Sequence, residues 1–291
     1  MAKRISARKL TQIGMGVLQN AHLSGFLSGK IYQGPLKHFC VPGMNCYSCP
    51  AAIGACPIGS FQSMLAARQP KVSLSVVGFL SLIGVLAGRF VCGWLCLFGL
   101  IQELLYKIPV KKIRISAKTD RILRKTKYVV LVLFVILFPV ILRDEYGLGI
   151  PSFCKWLCPI GTLEAGMPLY LLDQSIRGAA HFLFVWKFAI LLFCIGSAIV
   201  IERPFCKYLC PLGAFYSLFQ SVSFLQLKLD QEKCIHCGAC EHVCPMQVNV
   251  RKNLSSAECI RCGECVRHCE ANALRFAFEK EMKKTQVPQK G

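Results

Sequence analysis

The sequence predicts an α-helical membrane protein of about four transmembrane helices, with a small cysteine-rich α+β domain at its C-terminus. Three observations lead there. Hydrophobic residues make up 54% of the 291 and charged residues only 17%, where a soluble domain carries about 25% charged. Apolar runs approaching the ~20 residues that cross a hydrocarbon core recur along the chain. The 19 cysteines gather at the ends of those runs and in one C-terminal block. A disulfide framework suits small secreted chains rather than one of this length and a mean hydropathy of +0.47. Thiolate–metal chemistry is the better starting point.

The first apolar run, 11–33, is interrupted by Thr11, Gln12, Gln19, Asn20 and His22. The second, 72–91, reads VSLSVVGFLSLIGVLAGRFV. The third, 127–142, is KYVVLVLFVILFPVIL and slightly short; the fourth, 181–201, is HFLFVWKFAILLFCIGSAIVI. Lys and Arg mark cytoplasmic ends. They crowd the first nine residues and the 107–127 connection, whereas 143–180 balances Arg143, Lys155 and Arg177 against Asp144, Glu145, Glu164 and Asp173. The consistent solution is a multi-pass plasma-membrane protein with four spans and both termini in the cytoplasm. The formal charge of +20 then reflects orientation in a lipid bilayer rather than nucleic-acid binding. The expected division is a membrane domain over 1–221, a cysteine-rich domain over 222–280 and a basic flexible tail over 281–291.

Residues 234–245, CIHCGACEHVCP, form the run C-x2-C-x2-C-x3-C-P that holds iron–sulfur cubes in bacterial two-cluster ferredoxins. Residues 259–269, CIRCGECVRHC, repeat the spacing with Glu270 in place of proline. The fourth cysteine of each run serves the other cube. Cys234, Cys237, Cys240 and Cys269 are therefore expected to hold one [4Fe–4S] cluster, and Cys259, Cys262, Cys265 and Cys244 the second. Zinc sites usually separate two C-x2-C pairs by a longer loop instead of chaining three.

Three C-x3-C pairs flank the spans: CGWLCLFG (Cys92, Cys96), CKWLCPIG (Cys154, Cys158) and CKYLCPLG (Cys206, Cys210). Four-residue spacing puts both thiols on one helical face. The Pro–x–Gly that follows in two copies suggests a turn into a new helix, whose positive N-terminus favours an anion. Topology sorts the pairs. Cys92, Cys96, Cys206 and Cys210 face the cytoplasm and are expected to share an inner-edge cluster. Cys154 and Cys158 lie outside, with Cys40, Cys46, Cys49 and Cys56 of CVPGMNCYSCPAAIGACP (40–57). Because Cys49 and Cys56 each precede proline, the expected outer-edge set is Cys49, Cys56, Cys154 and Cys158, with Cys40 and Cys46 as alternates. Disulfides are the competing reading there. Two clusters a full ~30 Å core apart would exchange electrons slowly, so either re-entrant segments such as CPAAIGACPIGSFQ or a further cofactor is expected between them. His22 and His181 are read as packing residues in preference to haem ligands, and Cys194 as a small buried apolar residue.

With CGWLC, CKYLCPLGAFY and the C-terminal doublet in view, the chain resembles the membrane-bound polyferredoxins of the NapH, MauN and NosR type over nearly its whole length. The resemblance implies a 2[4Fe–4S] ferredoxin domain and up to four clusters. It also implies electron transfer between a donor, such as a quinol, and a redox partner protein, as a component of an oxidoreductase rather than a stand-alone enzyme. The sequence departs from that pattern in Leu97, which replaces the proline after Cys96, in lacking the flavin-bearing region of the NosR type, and in its additional outer cysteines. A cluster-dependent metal reductase, maturation or redox-sensing protein of the CcoG type is the alternative.

Overall fold

Helices follow the apolar runs, but glycine, proline and cysteine decide where each one ends. The computed structural model describes residues 7–68, 74–172 and 181–278. Within them, helical passes alternate in direction between the C-terminal module and the far end of the molecule. The first, Ala7–Gln19, begins where Arg8 lies 3.4 Å from Glu264 of the module. It ends where the Gln19 carbonyl accepts from Ile53 N–H at 3.0 Å. The second, Leu74–Ala87, returns to the module and stops at Gly88, whose φ of +54° would strain a residue with a Cβ.

The third pass leaves the module as Ala117–Val130 and widens into i→i+5 turns over Leu131–Leu137 before closing as Phe138–Ile141. Pro139 has no N–H to donate, and the wide turns fall just ahead of it, where the bond would be missing. The fourth, His181–Val200, comes back, and its Val200 carbonyl accepts from Ile113 N–H.

Two expectations change at this level. The run 11–33 is not one helix. The chain leaves it after Gln19, where the Asn20 amide donates to the Gly16 carbonyl and His22 N–H turns to the Ala51 carbonyl. A short second helix, Ser24–Ser28, then ends on Gly29 at φ +63°. The polar interruptions carry the reason, since Arg8, Gln12, Gly16 and Gln19 form the buried face of this helix. Lys127, counted above with the basic 107–127 connection, is fully buried; it pairs with Glu258 of the module.

Among the described residues, Phe182–Val200 is the one helix long and apolar enough by itself to cross a membrane, with a mean hydropathy of 2.3. One face of it is exposed and apolar, with Phe182 at 84% and Phe193 at 69%, while Leu191, Cys194 and Ala198 are buried. Leu74 on the second pass and Val17 on the first are likewise exposed.

The module pairs strand Leu225–Leu229 with Leu274–Phe278, antiparallel, with Leu227 opposite Phe276. The two cysteine runs lie between these strands. The module is seated on the helices, because Met246, Val248 and Ile260 share one buried core with Phe98, Phe205 and Tyr216. Polar contacts fix the seat. Trp94 Nε1 donates to the Arg261 carbonyl at 3.0 Å, Gln220 Nε2 to the Cys259 carbonyl at 2.9 Å, and Arg124 to the Met246 carbonyl at 2.7 Å. The tail 281–291 lies outside the described residues.

Candidate metal centres

The three C-x3-C copies share one backbone device. The N–H of the second cysteine reaches back five residues, from Cys96 to Val91, Cys158 to Phe153 and Cys210 to Phe205. This wide closing turn expels the second cysteine from the helix. It then becomes the N-cap of a new one, in extended conformation with ψ between 108° and 115°. Cys56 caps Pro57–Leu65 in the same way. Glycine stands three residues on in every case. Gly213 N–H donates to Cys210 Sγ and Gly161 N–H to Cys158 Sγ, each at 3.3 Å, and Gly59 and Gly99 act likewise on Cys56 and Cys96. Four sulfurs thus sit at helix N-termini, where backbone N–H groups and the dipole favour a bound anion.

Cys92, Cys96, Cys206 and Cys210 line one small chamber of about 10 Å³. Gln102, itself buried, donates to Cys206 Sγ at 3.3 Å and accepts from Phe205 N–H. Two fully buried guanidinium groups flank the chamber. Arg89 donates to the Cys206 carbonyl at 2.9 Å and Arg203 to the Cys92 carbonyl at 2.7 Å. Glu103 and Glu258 face them. Burial alone would raise the pKa of each carboxyl, but Arg203 and Arg8 on Glu103, and Arg89 and Lys127 on Glu258, outweigh it and hold both below the usual value. Sequence reasoning missed these residues. The signal was present as Arg-x2-Cys-x3-Cys-x2-Gly, at 89–99 and 203–213.

A second chamber, of about 740 Å³, is lined by Cys46, Cys56, Cys154 and Cys158. Of the expected set, Cys49 is absent from this lining, and Cys46, one of the two alternates, is present in it. A Cβ on Gly161 would lie 3.6 Å from Cys46 Sγ and 3.7 Å from Cys158 Sγ. Cys49 is instead buried against Ala51, Ala52 and Phe26; its proline continues a turn closed by Ala52 N–H on the Cys49 carbonyl, not a helix. Glu164 fixes Cys46 by accepting its backbone N–H at 2.7 Å, and burial pushes the Glu164 carboxyl up to about 7. Lys187 enters the wall and donates to the Cys154 carbonyl at 3.2 Å. Cys40 lies outside this lining, as does Cys194, which is buried in the fourth pass.

In the module, Cys234, Cys237, Cys240 and Cys269 line one chamber and Cys244, Cys259, Cys262 and Cys265 another, each of about 20 Å³. The fourth cysteine of each run has crossed to the other. Val248 N–H donates to Cys244 Sγ and Ala273 N–H to Cys269 Sγ, at 3.4 and 3.3 Å.

The chambers adjoin. Met44 and Ile160 line both the outer and the inner one, and Cys210 Sγ lies 3.4 Å from Met44 Sδ. They are not held at opposite borders of a full core. The segment 40–57 folds inward, with the Pro42 carbonyl accepting from buried Tyr216 at 2.9 Å. On the other side, Gly93 packs on the module so closely that a Cβ would sit 2.4 Å from the Ile260 carbonyl and 3.5 Å from Cys262 Cα.

These residues fit iron–sulfur cubes on chemical grounds. Among the described residues no three His, Cys, Asp or Glu side chains converge as a single ion requires. The thiols surround voids instead, as a multi-iron cube needs and a lone zinc with bonds of ~2.3 Å does not. The buried Lys207 Nζ makes no hydrogen bond among the described residues; Asp120 and Glu202 are its principal charge partners, ahead of Cys244.

The comparisons agree with this chemistry. The 4Fe-4S binding domain family matches residues 69–116, 127–167 and 182–229, and the 4Fe-4S dicluster domain family matches 225–285. An uncharacterised protein of Methanocaldococcus jannaschii is 36% identical over 216 residues, covering 72% of this chain and 79% of its own. The ferredoxin-type protein NapH of Haemophilus influenzae is 29% identical over 186 residues, 62% of this chain and 57% of that one. The methylamine utilization ferredoxin-type protein MauN of Methylobacillus flagellatus is 25% identical over 185 residues, 63% and 56%. No solved structure matches.

Proposed function

We propose that this chain, which belongs to the NapH/MauN-type polyferredoxins, passes single electrons through four cubes between a donor at the outer chamber and a redox partner protein at the module. It is an iron–sulfur electron-transfer protein, with [4Fe–4S] clusters as its cofactors. The proposed ligands are Cys46, Cys56, Cys154 and Cys158 for the outer cube and Cys92, Cys96, Cys206 and Cys210 for the inner. In the module they are Cys244, Cys259, Cys262 and Cys265, then Cys234, Cys237, Cys240 and Cys269. Each cube, when bound, supplies a one-electron step. The chain's part is to set spacing and charge. The observation that carries this reading is the set of four four-thiol chambers, of which the outer and inner share Met44 and Ile160, while Gly93 of the inner turn abuts Ile260 and Cys262 of a module chamber.

A lipid setting is supported by the outward apolar faces, which would be unsatisfied in water on this scale. The contact of Arg8 with Glu264 supports a topology with both termini on one side, which the basic segments assign to the cytoplasm. The outer chamber, within the ~300–1,000 Å³ of small-molecule sites, exceeds the other three by far. Ser48, Ser60 and Ser63 give it hydroxyls, so it suits a small amphiphilic donor such as a quinol.

Iron and sulfide analysis of the purified full chain tests the relay. About sixteen irons per chain would support four cubes, and about eight would leave only the module pair. Titration with quinols tests the donor: if no quinol reduces any cluster, the donor is of another class.

A further inference from the structure

The inner chamber is crossed by a reciprocal brace. Arg89 stands three residues before Cys92 but donates to the carbonyl of Cys206, while Arg203 stands three residues before Cys206 and donates to the carbonyl of Cys92. Each passes a glycine of the opposite copy. A Cβ at Gly213 would lie 3.3 Å from Arg89 Nη2, and one at Gly99 would lie 3.1 Å from Arg203 Nη1. Each arginine also shares one carboxylate with a second cation. Glu258 lies between Arg89 and Lys127, and Glu103 lies between Arg203 and Arg8; Arg8 additionally reaches Glu264, which Arg267 pairs at the surface.

The Arg89–Lys127–Glu258 group therefore keeps a surplus positive charge next to the thiols, whereas Arg203 and Arg8 are matched by Glu103 and Glu264. Both guanidinium groups that reach the cysteine carbonyls lie deep in the protein. The chain accepts backbone strain to arrange it, since Arg203 sits at φ +51°, a left-handed conformation unfavourable for a residue with a Cβ. The third copy of the turn has Pro151 in the arginine position. The device belongs to the inner chamber alone.

We propose that Arg89 and Arg203 are positioning residues that hold the inner cube in place through the two cysteine carbonyls and raise its reduction potential through their buried positive charge. This rests on the assignment of a cube to Cys92, Cys96, Cys206 and Cys210. A cube held by four thiolates gains negative charge on reduction, so nearby buried cations favour the reduced state. The paired carboxylates moderate the effect, which gives it a testable sign in both directions.

The test is a redox titration of the full chain in detergent, followed by electron paramagnetic resonance, with the inner signal identified as the one lost in Cys206→Ala. Arg89→Gln and Arg203→Gln should each lower the inner potential, by about tenfold or more in the reduction equilibrium, and leave the module signals in place. Arg89→Lys and Arg203→Lys should recover most of that shift. Glu103→Gln should move the inner potential the opposite way. If the glutamine variants lose the cube altogether, Glu103→Gln decides: no upward shift overturns the proposal. A cube retained at unchanged potential in Arg89→Gln and Arg203→Gln overturns it as well. Failure of the underlying assignment reads differently, as a Cys206→Ala variant with the iron content and spectrum of the parent.

Discussion

The inner and outer chambers are built from the same turn and have opposite characters. Two copies, 89–99 and 203–213, face each other to make the inner one; a single copy, 151–161, faces the loop 40–57 to make the outer. The inner chamber is small at about 10 Å³ and braced by arginines, while the outer opens to about 740 Å³ with Lys187 as its cation. The turn thus fixes where sulfurs go. Whether the chamber is small and charged is decided outside it, by the residue three before the first cysteine and by whether a second copy is present.

The largest effect separates the two candidates for the outer fourth ligand. Cys46→Ala should cost the protein about four of its sixteen irons, and Cys49→Ala none, as iron and sulfide per chain would report. Equal loss from both would return Cys49 to the ligand set. Next comes the contrast of carboxylates. Glu258 is paired with Arg89 and Lys127 beside the inner chamber, so Glu258→Ala leaves two buried cations unmatched and should destabilise by about 3–5 kcal/mol. Glu164 at the outer chamber only accepts one backbone N–H. Glu164→Gln keeps an acceptor there and should cost less than about 1 kcal/mol. Thermal unfolding in detergent compares the two.

Glu164 also gives a pH signature. Its folded pKa is raised by burial from 4.5 to about 7, so its contribution to stability is full below the unfolded value and is lost as pH rises through the folded one. The unfolding temperature of the parent should fall across that window, and the Glu164→Gln variant should lose this part of the slope. An unaltered slope in the variant would assign it to other groups.

How much of this could be read from the sequence depends on how far the determining contacts reach along the chain. The cysteines expected to act together in the module are those that line each of its two chambers, because the spacing within each run is set locally. The four cysteines that line the inner chamber could be grouped because identical turns announce themselves. Cys49 was preferred for its proline, but Pro50 continues a turn whereas Pro57 starts a helix with Gly59 three residues after Cys56. Cys-x2-Gly was the better local signal: it selects Cys56, Cys96, Cys158 and Cys210 together and passes over Cys49, although it also marks Cys40 in Cys-Val-Pro-Gly. Nothing local selects Cys46, which is placed by Glu164 and Gly161, more than a hundred residues away. The first pass was misread for a related reason. Its polar residues were counted as interruptions in lipid, whereas Gln12 donates to the Cys96 carbonyl and Arg8 grips Glu103.

The smallest expected effect distinguishes the chambers by what their glycines face. At Gly99 an added methyl would lie 3.1 Å from Arg203 Nη1 and 3.2 Å from the Cys92 carbonyl, tighter than a packed interior allows without movement. The strain of overpacking, typically ~1–3 kcal/mol, is offset by the ~1 kcal/mol that alanine gains over glycine in a helix. Gly99→Ala should therefore lower stability by about 1 kcal/mol. At Gly161 the methyl would meet sulfur at 3.6 and 3.7 Å, an ordinary contact, so unfolding of the cluster-free chain should be nearly unaffected. The same methyl would occupy the space between Cys46 and Cys158 that an outer cube requires. Iron content should then drop in Gly161→Ala while its unfolding temperature without clusters holds. If the iron content also holds, the space between those two sulfurs is not where the outer cube sits.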